Sequence, residues 1–203
     1  MAKLDALPLY LRQLSLYKPA RRFNIRSIFY RYNQAAVAMI VHQHKDQGWS
    51  LFMIERAEYK GDLWSGHMAF PGGKKDKASD NSNIMTACRE THEEVGVQLK
   101  DKQHHLTHLK ARTTVSIPKK GAKRLQISPH VFYLSEEPEL LLNEEVANTF
   151  WIPLDFFKDP KNRESMQFKI KGRVTVKLPC YTYKNRRIWG LSLRFIDELL
   201  TQI

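Results

Sequence analysis

One short stretch of the chain concentrates groups that could do chemistry: residues 89–94 read Arg-Glu-Thr-His-Glu-Glu. At the helical angle of about 100° per residue, Glu90, Glu93 and Glu94 share one face. Like charges at these spacings destabilise a helix by a few tenths of a kcal/mol per pair, and the helix dipole disfavours acids near its C-terminus. We therefore expect a cation beside them, and oxygen ligands favour a hard ion such as Mg²⁺ or Mn²⁺. An acidic, solvated helix end is the alternative that this stretch alone leaves open.

The element that must position these carboxylates is a helix predicted from about Ile84 to Val95 and ended by Gly96, a residue that suits a left-handed C-cap. A stripe of apolar and small residues predicts the face that packs on the core, with the glutamates on the opposite side. The stripe consists of Ile84, Ala87, Cys88, Thr91 and Val95.

The helix follows a loop that contains Phe-Pro-Gly-Gly at residues 70–73, and Arg-Glu-x-x-Glu-Glu-x-Gly-Val spans 89–97. Together they resemble the signature of Nudix hydrolases, with the Nudix box at about 73–97. The sequence departs from the usual pattern where an early glutamate is expected, because Ser79 stands at that spacing and Asp80 is the nearest carboxylate. The interval before the arginine is also one residue longer than usual.

The resemblance implies the fold. Nudix domains are α/β/α sandwiches around a mixed β-sheet, which is an α+β fold by class. We expect a basic, helical N-terminal extension over residues 1–34 and a Nudix hydrolase domain over 35–203 that closes with a C-terminal helix.

The pattern of apolar residues agrees with this fold. Strands are predicted at 35–41, 50–55, 106–110, 112–117, 127–134, 173–178, 180–183 and 187–189. Further helices are predicted around 143–148 and over 192–200.

The resemblance also implies a metal centre. Glu90 and Glu94 match the main ligands of the Mg²⁺ or Mn²⁺ ions, and Glu93 matches a further ligand or a catalytic group that orients water. Arg89 counts with the catalytic residues because it would hold a glutamate in place. Glu145 resembles the catalytic or metal-binding glutamate that some Nudix enzymes place downstream, although helix-terminal acids beside a capping asparagine explain it equally well.

Four residues are candidates for substrate binding. Gly72 and Gly73 would let the backbone pass close to the helix and the metal ions, where a Cβ would collide. Lys123 and Arg124, with the neighbouring pair Lys119-Lys120, could contact nucleotide phosphates. A solvated, charged connection between strands is the alternative for these basic residues.

Nudix hydrolases cleave a diphosphate linked to a nucleoside, so the expected partner is a small nucleoside diphosphate derivative. The segments 51–57 and 65–73, with the closing Ile-Trp-Gly-Leu-Ser at 188–192, are most similar to the coenzyme A diphosphatase branch. That branch implies cleavage of coenzyme A or acyl-coenzyme A to 3′,5′-ADP and 4′-phosphopantetheine or its acyl form. Dinucleotides, ADP-ribose, nucleotide sugars and nucleoside triphosphates are alternatives, as is a catalytically silent Nudix module.

Composition limits the other classes. The chain has 203 residues with 33 Lys and Arg against 21 Asp and Glu, a formal charge of +12 that attracts anions. A nucleic-acid-binding or RNA-end-processing protein is the alternative that this charge raises, but the sequence contains no recognition motif for it.

The longest apolar run, 35–41, is far shorter than the roughly 20 residues of a membrane span. Two cysteines favour a reducing, cytoplasmic compartment, and homodimerisation through the N-terminal helix stays open.

Overall fold

The computed structural model describes residues 9–19, 33–59, 65–116, 123–170 and 174–203. The helices are α1 (Leu9–Leu16), α2 (Asn83–Val95), α3 (Asp101–His104), α4 (Leu154–Lys158) and α5 (Gly190–Leu200), with a 3₁₀ turn at Pro160–Asn162. The strands are β1 (Asn33–His44), β2 (Gly48–Arg56), β3 (Met68–Ala69), β4 (Gly72–Lys74), β5 (His105–His108), β6 (Arg112–Ser116), β7 (Lys123–Leu134), β8 (Val146–Pro153), β9 (Arg163–Ile170), β10 (Val174–Tyr183) and β11 (Arg186–Trp189).

The main sheet is mixed and is built around β1. Its strands run in the order β3-β2-β1-β7-β5, while β4 also pairs with β1, β6 with β7 and β8 with β2. The β1–β7 pair is parallel, and the other pairs of this sheet are antiparallel. The long apolar β1 lies at the centre because it is buried on both faces, as expected for a strand with a continuous apolar run.

Two hydrophobic clusters cover the two faces of this sheet, because alternate residues of β1 and β2 point to opposite sides. Met39 and Met53 contribute to the cluster that includes Phe195 and Ile196 of α5. Ala38 and Phe52 contribute to the cluster that includes Ala87 and Val95 of α2. The expected α/β/α sandwich around a mixed sheet is therefore confirmed, with α2 and α5 as the two outer layers.

The N-terminal segment that the structure describes docks onto this domain. Leu14 of α1 is fully buried in the cluster on the α5 side, and the Tyr17 carbonyl accepts a hydrogen bond from Thr107 Oγ1 at 2.7 Å. The rest of the predicted N-terminal extension, residues 1–8 and 20–32, lies outside the described residues.

A second, three-stranded sheet in the order β11-β10-β9 corrects two details of the sequence prediction. The strands predicted at 173–178 and 180–183 form one strand, β10, which continues through Pro179. Pro179 lies opposite Ser165 of β9 but beyond residues 180–183, which pair with β11, so the strand is paired on one side only at this position, as at a sheet edge where proline is tolerated. The sequence prediction missed strand β9. Its apolar and polar residues alternate over only a short stretch, and the side chains are mostly exposed or half-buried.

Two other findings bear on the composition. Cys88 and Cys180 are not joined in a disulfide, and Cys180 is buried. Within the described ranges, no helix combines the length and apolarity that crossing a bilayer requires.

Candidate active site

The carboxylate-bearing helix α2 is held at both ends by its own sequence. Ser82 caps the N-terminus, where its side chain accepts a hydrogen bond from the backbone N–H of Met85. Gly96 ends the helix in the left-handed conformation, with φ of 76°, and its N–H bonds to the carbonyl of His92. The predicted helix and its glycine stop are confirmed.

The two glycines of β4 bring backbone against this helix and against β1. A Cβ on Gly73 would lie 2.2 Å from Oε2 of Glu90, so any other residue would displace that carboxylate from its position. A Cβ on Gly72 would instead lie 2.3 Å from the carbonyl oxygen of Ala36 in β1. Gly73 thus meets the helix as predicted, whereas Gly72 is constrained by the neighbouring strand.

Glu94 is buried, although the helical pattern placed it with Glu90 and Glu93 on the side opposite the stripe that faces the core. Its side chain is 4% exposed, and Oε2 accepts a hydrogen bond of 2.8 Å from the backbone N–H of Gly72. Arg56, at the end of β2, places Nη1 4.0 Å from Oε1. Burial raises the pKa of Glu94 to about 8 despite these two favourable partners, and the nearby Glu90 and Glu145 raise it further.

Glu90 and Glu93 are both bonded to Arg89. Nη2 of the arginine lies 2.8 Å from Oε1 of Glu90, and Nη1 lies 2.9 Å from Oε2 of Glu93. Burial raises the pKa of Glu90, and the arginine partly offsets that effect. Glu93 is exposed at 53%, so the three glutamates form a series from buried to exposed along one helix.

Asp80 occupies a buried position behind this arginine. Arg89 donates from Nε to Oδ1 at 3.0 Å and from Nη2 to Oδ2 at 2.9 Å, and it also donates to the carbonyl of Lys74 at 3.1 Å. The hydrogen bonds from Arg89 lower the pKa of Asp80 to about 2. Asp80 therefore serves as a partner of the arginine, and the carboxylate beside Gly73 is that of Glu90.

The loop that carries Glu145 packs on the end of α2. Backbone N–H groups of Leu141 and Asn143 donate to the carbonyls of Val95 and Glu94, at 3.0 Å each. This anchoring places Glu145 close enough to raise the pKa of both Glu90 and Glu94. The short helix predicted around 143–148 is wrong: residues 144–145 form a turn and Val146 begins β8. The asparagine closes that turn by accepting from the N–H of Glu145 at 2.9 Å, a local bond that competes with helix formation.

The basic pair predicted to bind phosphate begins β7. Lys123 pairs with Ser116 and Arg124 with Val115 of β6, and Arg124 is exposed. The next residue, Leu125, pairs with Asn33 at the start of β1, close to the residues of β1 that pair with β4. The structure thus brings this pair to the end of the sheet that carries Gly73. Lys119 and Lys120 lie outside the described residues.

The carboxylates fit a divalent cation. Glu94 is a buried carboxylate, and a second carboxylate, Glu90, approaches the same glycine-lined segment of backbone. Buried carboxylates with raised pKa values gain most from a cation beside them. The donor set is made of oxygen atoms alone, which suits Mg²⁺ or Mn²⁺.

Comparison with known proteins agrees with this geometry. The family model of the NUDIX domain matches residues 32–170. The chain belongs to the Nudix family. The Nudix match covers β1 to β9 and so contains every residue of the candidate site.

Two known protein sequences and one crystal structure illustrate what the chain is similar to. The chain is 29% identical over 155 residues to an uncharacterized Nudix hydrolase, NudL, of Yersinia pestis, which covers 76% of this chain and 72% of that protein. It is 38% identical over 105 residues to an uncharacterized protein of Schizosaccharomyces pombe, which covers 51% of this chain but only 32% of that protein. A crystal structure of a MutT/nudix family protein from Enterococcus faecalis superimposes with a TM-score of 0.53 at 15% identity, over 96% of this chain and 70% of that one. That likeness supports the Nudix fold.

Arg56 is a site residue that the sequence did not single out. It contacts Glu94 from the end of β2, and its backbone N–H donates to the carbonyl of His67 at 3.1 Å. The sequence does show a basic residue directly after Glu55, at the end of the apolar strand β2. Its partner Glu94 is distant in sequence, so the contact could not be predicted from that position.

Proposed function

We propose that this Nudix protein is a metal-dependent hydrolase that cleaves a diphosphate linkage in a nucleoside diphosphate derivative by attack of water on phosphorus. One observation carries the proposal. The buried Glu94 accepts a hydrogen bond from the backbone N–H of Gly72, and the half-buried Glu90 lies where a Cβ on Gly73 would be, so two carboxylates converge on the same short segment of backbone. A solvated acidic helix end, the alternative from sequence, does not bury a carboxylate in this way.

Glu90 and Glu94 are proposed to hold Mg²⁺ or Mn²⁺, with Glu93 as a further ligand or as the group that orients water. A bound divalent ion neutralises phosphate charge and lowers the pKa of its water. The hydrogen bond from Gly72 to Oε2 and the contact of Arg56 with Oε1 hold the Glu94 carboxylate in one orientation, in which it would serve as a ligand of the ion.

Arg89 is proposed as a positioning residue. Its hydrogen bonds to Glu90 and Glu93 hold two carboxylates at once, and the buried Asp80 fixes the guanidinium from behind. Glu145 is proposed as the general base that takes the proton of the attacking water. Support for this role is its position close to Glu90 and Glu94, together with its exposure on a turn.

The proposed substrate is coenzyme A or an acyl-coenzyme A. Support comes from the resemblance of segments 51–57, 65–73 and 188–192 to coenzyme A diphosphatases. Hydrolysis adds one water across the phosphorus–oxygen–phosphorus bridge and gives 3′,5′-ADP and 4′-phosphopantetheine or its acyl form. Lys123 and Arg124 are proposed to contact the phosphates of the nucleotide half, since they begin the strand beside the start of β1.

The test is product analysis by mass spectrometry with Mg²⁺ and, separately, with Mn²⁺. The panel holds coenzyme A, acyl-coenzyme A, ADP-ribose, NADH, diadenosine polyphosphates and nucleoside triphosphates. Glu94→Gln is the inactive control, and Glu144→Gln is its matched control because Glu144 is an exposed acid on the neighbouring turn.

Release of 3′,5′-ADP by the wild-type and Glu144→Gln proteins, and not by Glu94→Gln, is the expected result. Cleavage of another panel member with the same dependence on Glu94 would keep the hydrolase and overturn coenzyme A as substrate. Absence of cleavage of every member with either metal would overturn the hydrolase and favour a silent binding module.

A further inference from the structure

A second cluster of ligating side chains lies at the end of β1 that is remote from the glutamates. Val37 of β1 pairs with Gly72, whereas His42 and His44 are the last residues of the strand that carry ring nitrogens. At about 3.3 Å per residue, the strand separates Val37 from His42 by about 16 Å. The histidine cluster is therefore a different site from the candidate active site.

The topology explains why three ligating residues meet there. His42 and His44 are two positions apart on one strand, so both side chains project from the same face of the sheet. β7 runs parallel to β1 with Leu134 opposite His42, and Glu137 follows the end of β7 by three residues. The carboxyl ends of the two strands thus bring together one ligand atom from each of His42, His44 and Glu137, all within 4.8 Å of one another.

Each histidine carries a feature that suits metal binding. Nδ1 of His42 lies 2.9 Å from the carbonyl oxygen of Leu134. A carbonyl only accepts, so Nδ1 holds the proton and Nε2 keeps a free electron pair, which is the usual arrangement of a metal-binding histidine. His44 buries its Nε2 with no hydrogen-bond partner among the described residues.

Glu137 completes the set and provides access. Its Oε2 lies 3.5 Å from Nδ1 of His44, and 56% of its side chain is exposed, whereas the His44 side chain is 12% exposed. Trp151 covers the histidines, with ring centroids 5.7 Å from His42 and 5.0 Å from His44. An ion could therefore reach the histidines from the side of Glu137.

We propose that His42, His44 and Glu137 bind a divalent transition-metal ion of the Zn²⁺ class. Imidazole nitrogens select such ions over Mg²⁺, in contrast to the all-oxygen set on α2. Three protein ligands leave a fourth position for water in the tetrahedral geometry of Zn²⁺. The ion would tie the end of β1 to the segment that follows β7.

The experiment measures Zn²⁺ binding to the full chain after removal of metals with a chelator. Calorimetry in excess Mg²⁺ gives the affinity, and elemental analysis after desalting gives the number of zinc equivalents. The wild-type protein is expected to retain one zinc equivalent after desalting, and His44→Gln is expected to lose it. The affinity of His44→Gln for Zn²⁺ should be at least ~10-fold weaker than that of the wild type, because even the loss of a residue that only orients a metal ligand weakens binding by this factor. The variant Glu94→Gln is expected to keep this equivalent, which separates it from any zinc at the glutamates.

Matched variants guard against loss of folding. His108→Gln removes an exposed histidine of β5 and is expected to bind zinc as the wild type does. Glu137→Gln changes a half-exposed side chain outside the core and is expected to weaken zinc binding while the circular dichroism spectrum stays that of the wild type. The proposal is overturned if wild-type protein retains no zinc, if both His44→Gln and Glu137→Gln bind it as tightly as wild type, or if the equivalent is lost only in Glu94→Gln.

Discussion

Asp80 and Arg89 form a two-pronged ion pair, in which Nε and Nη2 of the arginine reach the two carboxylate oxygens at 3.0 and 2.9 Å. Asp80 is 6% exposed, so the pair is largely shielded on the aspartate side. The planar guanidinium matches a carboxylate in this geometry, which fixes the plane of the arginine. Its remaining N–H groups then point at Glu90 and Glu93, so a residue outside α2 determines how two of its carboxylates are held.

Replacing Asp80 with asparagine is expected to destabilise the protein by about 1.5–3 kcal/mol, the usual range for hydrogen bonds to charged groups. Arg89 keeps its contacts to two glutamates and is 27% exposed, so the protein should still fold. Urea denaturation at pH 7 measures the free energy of unfolding. Activity should also fall, because the guanidinium loses the partner that orients it. Equal unfolding energies for variant and wild type would contradict the interpretation.

The same pair predicts a dependence of stability on acid pH. The folded state lowers the pKa of Asp80 from 3.8 to about 2, so its stabilisation is complete above about pH 4 and is lost as the pH falls through 2. The difference in unfolding energy between wild type and Asp80→Asn should shrink over that interval. Asp155→Asn is the control, because the Asp155 side chain is 92% exposed. This substitution should leave the loss of stability at acid pH as it is in the wild type.

The sequence could predict the parts of the site that are local. The helix from 83 to 95, its glycine stop and the glycines before it follow from periodicity and spacing along one segment. The burial of Glu94 could not be read from the helix alone, because it depends on β4 crossing over that face and on Arg56 arriving from β2. The turn at Glu145 was misread for a similar reason: the loop before it bonds to the carbonyls at the end of α2, a contact between residues nearly 50 positions apart.

The strand Arg163–Ile170 shows the same limit for the fold. Its partner β10 pairs with it in the antiparallel sense, and its side chains are mostly exposed or half-buried. Met166, Phe168 and Ile170 alternate with polar residues, but this alternation spans only five residues and is therefore a weak signal for a strand that backbone pairing with β10 completes.

Gly72 and Gly73 should respond differently to replacement by alanine. Gly73→Ala places a Cβ against the carboxylate of Glu90, a side chain that can move, so the protein should fold while turnover falls by at least about 10-fold through a misplaced ligand. Gly72→Ala places a Cβ against the backbone of β1 at a φ of 150°, so it should lower the melting temperature sharply. Steady-state kinetics and thermal denaturation of both variants test this contrast. Similar melting temperatures for the two would contradict it.

Glu94→Gln should stabilise the metal-free protein at alkaline pH while abolishing turnover. Burial raises the pKa of Glu94 from 4.5 to about 8, so the folded state binds its proton more tightly than the unfolded state does. Stability of metal-free wild type should therefore fall as the pH rises from about 4.5 to about 8 and level off above that. The uncharged glutamine removes this decline. Chemical denaturation of chelated protein at several pH values measures it, with the exposed Glu139→Gln as control. Parallel pH curves for wild type and Glu94→Gln would contradict the prediction.

Replacing Lys123 and Arg124 together with glutamine should raise the apparent KM for a diphosphate substrate and leave kcat nearly unchanged. Both residues begin β7 at the end of the sheet where β1 starts, so their positive charges should attract phosphate while the metal ligands on α2 stay unchanged. The effect should weaken as salt is raised, because the charge of the exposed Arg124 is screened. Unchanged KM at low ionic strength would remove the pair from the substrate site.

Glu145→Gln should lower kcat by about 10²–10⁴-fold if its carboxylate takes the proton of the attacking water. Glutamine has the same size and keeps the backbone bonds of the turn, which join its N–H to Asn143 and its carbonyl to the N–H of Ala57. Glu144→Gln provides the matched comparison, since it removes one charge from the same turn. The negative charge of Glu145 raises the pKa values of Glu90 and Glu94, so its removal should lower both pKa values. A nuclear magnetic resonance titration of the metal-free protein would show that shift. If the shift appears and turnover stays at the wild-type value, Glu145 acts on the electrostatics of the site and the base is another group.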